Sequence, residues 1–104
     1  MCPVYELTAG EFNKFTEKGL VLIDFFAEWC MPCIMMGPVL DEVSQKFKGK
    51  IKFGKVNIDE NSSLTGKFEV SSIPCFILFK NGKTVARFVG GMPEEDLQEK
   101  LNIC

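Results

Sequence analysis

The chain has 104 residues, 46% of them hydrophobic and 25% charged, and a net charge of −2. Such a length and mix describe one globular domain, 1–104, with residues enough to bury a core without staples, and exclude a disordered chain. The small net charge gives no electrostatic ground for nucleic acid or an anionic membrane as partner, and no apolar run approaches the ~18 residues that span a bilayer.

The opening stretch, MCPVYELTAG, lacks a basic segment followed by a long apolar one. No signal peptide is expected, and a cytoplasmic setting follows, in which most thiols stay reduced. Residues 3–7 read as a short strand. Thr8-Ala9-Gly10-Glu11 is a capping-box pattern that opens a helix to about Lys18, with Phe12 and Phe15 on one face and Gly19 ending it. LVLIDFFA, 20–27, is almost continuously apolar, as a strand covered on both faces would be. It predicts the centre of a sheet, with one carboxylate, Asp24, inside it.

A long helix is predicted from Met31 to Phe47, with Met36, Val39, Leu40, Val43 and Phe47 recurring at helical spacing. Met35 and Met36 are read as core packing on the same ground. Pro38 falls inside this helix, where it removes a donor and predicts a kink. Lys46, Lys48, Lys50, Lys52 and Lys55 read as a solvated rim. IKFGKVNID, 51–59, is a strand, and Ser62–Phe68 a short helix. CFILF, 75–79, and TVARFV, 84–89, are strands joined through Asn81-Gly82, a strong hairpin signal because both residues tolerate positive φ. Pro93 opens a last helix whose first turn holds Glu94, Glu95 and Asp96, suited to the positive end of its dipole. The order β-α-β-α-β-α-β-β-α implies an α/β domain: a mixed sheet, parallel at first, with helices on both faces.

FFAEWCMPCIMM, 25–36, carries the chemistry. A C-x-x-C spacing is weak evidence alone, but Cys30 falls just past a central strand and at the start of a helix, the sheet edge where ligands gather. The helix's first N–H groups have no intrahelical partners and favour a thiolate at Cys30, the nucleophilic form. Cys33, one turn on, is placed to attack a mixed disulfide and to be shielded meanwhile. Pro32 suits the first helical turn. A structural disulfide would close too short a loop to constrain much chain entropy. With five cysteines and no histidine, a zinc site would have to recruit scattered thiols. Redox chemistry is the leading reading; metal binding and inert packing stay open.

DFFAEWCMPC resembles the strand and active-site segment of the thioredoxin family, with Trp29 as the usual neighbour of the first cysteine. Pro38, KVNIDEN at 55–61, SSIPCFILFKNGK at 71–83 and FVGGMPEEDLQEKL at 88–101 extend the likeness over essentially the whole chain. The resemblance implies the thioredoxin fold, a five-stranded sheet, and a protein-disulfide reductase that maintains cell redox homeostasis. Cys30 would be the attacking thiolate and Cys33 the resolving thiol. Their disulfide would be the redox group, without a further cofactor and without metal. Asp24, its pKa raised by burial, would move protons for Cys33 through water, with Lys55 beside it. Trp29 would cover the site, Pro74 would be cis and present the Ile73 backbone to a substrate strand, and Gly90 would allow close approach. Met31 and Pro32 complete the substrate-binding set. The partners implied are a thioredoxin reductase-type electron donor and disulfide-containing proteins, met by a monomer.

Three residues depart from the family pattern. Met31 stands where glycine is usual, and Ile34 where a basic residue is common, which predicts a larger apolar docking face or an altered reductase partner. Cys75 follows the proline where threonine is frequent; it reads first as a plain strand residue and, if the loop is placed as in the family, as an extra redox or regulatory thiol near Cys30 and Cys33. That opens an alternative, a metal or iron–sulfur binding module using Cys30, Cys33 and Cys75. Cys2 and Cys104 are terminal and their pairing is open. A glutaredoxin would carry Cys-Pro-Tyr-Cys, which is absent.

Overall fold

A computed structural model describes residues 4–103; the readings placed on Cys2, Pro3 and Cys104 lie outside them. The elements run β1 (Val4–Glu6), α1 (Ala9–Thr16), β2 (Leu20–Phe26), α2 (Met31–Lys46), β3 (Ile51–Asn57), α3 (Ser62–Lys67), β4 (Cys75–Lys80), β5 (Lys83–Val89) and α4 (Glu94–Ile103). This is the order expected from the sequence, with helix ends one or two residues shorter.

The sheet order is β1-β3-β2-β4-β5, so the most apolar strand, β2, occupies the centre. β3 lies parallel to both β1 and β2, β4 runs antiparallel to β2, and β5 antiparallel to β4. Side chains alternate along β2, and each set has its own core. Val21, Ile23 and Phe25 join Phe12, Leu64, Ile77 and Phe79. Leu22 joins Met36, Leu40, Val43, Phe53, Phe76 and Leu97, under α2 and α4. Asp24 belongs to this second set by its parity, so its carboxylate points toward α2.

Local chemistry fixes the ends. The Thr8 N–H donates to Glu11 Oε1 at 2.9 Å, closing the expected box. Asn81 and Gly82 have φ of 51° and 85°, as a tight turn between two twisted strands requires. The same asparagine reaches the turn before β2: the Gly19 N–H donates to Asn81 Oδ1 at 2.8 Å, and the Asn81 N–H to the Gly19 carbonyl at 2.9 Å. Pro38 sits inside α2 without ending it.

Candidate active site

Cys30 is the N-cap of α2, in extended backbone with φ −90° and ψ 109°. Its sulfur does what a serine or aspartate oxygen does at that position: it accepts the N–H of Cys33, at 3.2 Å. Pro32 enters the first turn, where a missing donor costs nothing. Cys30 and Cys33 are joined as a disulfide, with Cα atoms 5.2 Å apart. The sequence reading expected a reactive thiolate at Cys30 and a shielded Cys33. In this oxidised form they are 5% and 6% exposed and cluster with Ala27, with Phe26, Ile58 and Ile73 packed against them.

Behind the pair lies a cavity of about 370 Å³, lined among others by Asp24, Cys33, Ile34, Gly37 and Lys55. Asp24 is buried and its Oδ1 has no hydrogen-bond partner. Burial pushes its carboxyl from 3.8 up to about 7, against the pull of Lys55, its register partner on β3. Lys55 is half-buried, its Nζ 5.3 Å from the Phe26 ring centre. A carboxyl that changes charge near neutrality therefore shares a cavity with the second cysteine. A larger hollow of about 710 Å³ lies between β1 and α1, but its lining contains no thiol.

The remaining expected residues converge from three loops. The Ile73–Pro74 peptide is cis, and Pro74 is buried with its carbonyl accepting the Gly90 N–H at 2.8 Å. Gly90 has φ of 98°, a conformation that suits glycine. Gly91 approaches Pro32, so the loop after β5 lies against the first turn of α2. Trp29 is 69% exposed and anchored at one point, its indole Nε1 donating to Asp59 Oδ2 at 2.8 Å. Asp59 was not singled out from the sequence. The parallel pairing of β2 with β3 brings residues just past Phe26 and just past Asn57 to the same edge.

One expectation about the helix fails. Met36 is core, but Met35 is 70% exposed. Met35 stands four residues after Met31 and one after Ile34, on the solvent face, and helical spacing near a surface does not separate neighbouring methionines.

The sequence model of the family described as Thioredoxin matches residues 3–103. The chain belongs to the thioredoxin family. Curated proteins named thioredoxin from Staphylococcus aureus, strains Mu50 and MW2 among them, are 42% identical to it over 99 residues, 95% of each chain. Thioredoxins are thiol–disulfide oxidoreductases, generally reduced by thioredoxin reductase and acting on disulfide targets. The Cys30–Cys33 pair is the redox-active disulfide of this thioredoxin-family chain.

The third thiol is not part of that site. Cys75 lies opposite Phe25 in the sheet, and its side chain joins the cluster of Val21, Ile23, Phe25 and Ile77 rather than that of Cys30 and Cys33. Residues along a strand alternate faces, so following Pro74 directly sends this sulfur to the other side. Among the described residues no group of three histidine, cysteine or acidic side chains is arranged to hold a metal ion. The three-thiol ligand set considered from the sequence is therefore not formed. Cys75 instead meets Arg87, whose Nη1 lies 3.8 Å from its sulfur and whose Nη2 donates to the Phe68 carbonyl. Burial pushes the Cys75 thiol up, and the guanidinium pulls partly against it.

Proposed function

We propose that this chain is a monomeric cytoplasmic reductase of protein disulfides, with Cys30 as nucleophile and Cys33 as resolving thiol. The reduced Cys30 thiolate attacks one sulfur of a target disulfide. That bond breaks, the target's second sulfur leaves and takes up a proton, and a mixed disulfide joins Cys30 to the target. Cys33, giving its proton toward Asp24 through water in the cavity, attacks the Cys30 sulfur and displaces the target's remaining thiolate. Two electrons pass to the target, and the chain is left with Cys30–Cys33 oxidised. A thioredoxin reductase-type donor restores the dithiol, and the cycle contributes to cell redox homeostasis with no further cofactor.

The observation that supports this assignment is the Cys33 N–H aimed at Cys30 Sγ at the start of α2. A helix N-terminus favours negative charge there, by about 0.3–1 kcal/mol at an exposed site and more when partly buried. In the same reading Trp29, Met31, Pro32, Ile73, Pro74 and Gly90 bind the target, and Lys55 moderates Asp24.

The test is dithiothreitol-driven reduction of insulin. Cys30→Ser abolishes turnover and forms no mixed disulfide; Cys33→Ser abolishes turnover and accumulates a covalent adduct through Cys30. Full activity in Cys30→Ser would refute the assignment.

A further inference from the structure

Among the described residues seven large apolar side chains are strongly exposed, and four of them, Trp29, Met31, Ile34 and Met35, lie within seven residues around the disulfide. Met31, Ile34 and Met35 stand at i, i+3 and i+4 on α2, and so share one face over its first turn and a half. They are 64%, 54% and 70% exposed. Met31 follows Cys30 directly, and Ile34 donates its N–H to the Cys30 carbonyl at 3.1 Å, so the stripe begins at the reacting sulfur. A buried position would explain such residues by packing; these have none. Contiguous exposed apolar surface beside a site marks contact with a partner.

The charges nearby narrow the partner. Ile34 shares the rim of the cavity over Asp24 with Glu6, Glu28 and Asp41, and Lys55 is the cation of that lining. The first turn of α2 holds no acid, and no base stands in it either. A target segment carrying carboxylates beside its disulfide would meet apolar surface and further carboxylates, desolvating charge without a partner. A segment carrying aliphatic side chains would bury them against two flexible thioethers and a branched chain.

We propose that Met31, Ile34 and Met35 form a docking ridge by which this chain selects protein disulfides flanked by aliphatic residues and disfavours acidic ones. The ridge rests on the reductase reading and adds substrate choice to it. Met31 grips beside the attacked bond, and Ile34 and Met35 lengthen the contact along the helix, about 6 Å from first to last Cα at the helical rise.

The test measures second-order rate constants for the reduced protein with three disulfide-closed peptides that differ at the two residues flanking one cysteine: Leu-Leu, Ser-Ser or Glu-Glu. Bis(2-hydroxyethyl) disulfide, which has no flanks, reports the thiol chemistry itself. Wild type should reduce the Leu peptide about five-fold faster than the Ser peptide, the scale of one partly buried aliphatic side chain, and the Glu peptide slowest. Ile34→Ser with Met35→Ser, both at exposed positions, should bring the Leu-to-Ser ratio toward one. Ile34→Lys should lift the Glu peptide above the Ser peptide. Ratios equal to wild type in both variants, with the small disulfide still reduced, overturn the ridge alone. Failure of wild type to reduce the small disulfide overturns the reductase reading and the ridge with it.

Discussion

Asp24→Asn should stabilise the protein, and should do so only above acid pH. In the unfolded chain this carboxyl titrates near its ordinary value of 3.8, and in the folded protein at about 7. Below both values it is neutral in both states, and stability is unaffected. As pH rises between them, the unfolded chain loses the proton and the folded protein keeps it, so the folded state loses ground. Above about 7 both are ionised and the deficit is complete. An interval of about three pH units, at 1.36 kcal/mol each, makes that deficit about 4 kcal/mol. Asparagine does not titrate and escapes it, less about 1–3 kcal/mol for the unmet hydrogen bonds of a buried amide. Urea unfolding of the oxidised protein, wild type against Asp24→Asn, measures the difference from about pH 4 to about pH 9. The gap should open through the acid range and level off past neutrality. A gap that is constant with pH would refute the reasoning, since it would mean that Asp24 ionises as easily inside the fold as outside. The same substitution should slow turnover near neutral pH, because the residue proposed to accept the Cys33 proton is gone.

Substitutions at three further positions probe the frame around the site. Gly54→Ala should destabilise by about 1–3 kcal/mol in denaturant unfolding, because the added carbon would fall 3.0 Å from both Leu7 Cδ1 and Phe15 Cε2. Asn81→Ala should lose about 1–2 kcal/mol through its bond to the Gly19 N–H and its φ of 51°; Asn81→Gly, which keeps the freedom of φ, should recover part of that in the same assay. Arg87→Ala should expose the Phe68 and Val70 amides to faster hydrogen exchange, since the guanidinium ties the end of α3 to Cys75, with Arg87→Lys intermediate.

The elements that were legible are those with a local cause. The unbroken apolar run 20–27 gave the central strand because it had to be covered on both faces, and Asn81-Gly82 gave the hairpin because its φ values are a property of those two residues. The position of Cys30 at a strand-to-helix junction was readable for the same reason. What was not legible depends on which face a side chain takes. Met35 and Met36 are identical in type and adjacent, and a turn of about 100° sends one to solvent and one to the core. Cys75 follows Pro74, but the pleat of β4 carries its sulfur to the cluster of Phe25 and away from the pair. The bond from Trp29 to Asp59 joins residues 30 positions apart, and only the parallel pairing of β2 with β3 brings them together.

The two-sided use of β2 has an evolutionary corollary. Loss of one residue between Gly19 and Asp24 would exchange the strand's two faces, turning the carboxylate toward a cluster of phenylalanine rings and a benzyl group toward the second cysteine. Point substitutions can tune this protein, but the count of residues leading up to the reacting pair is not free to drift.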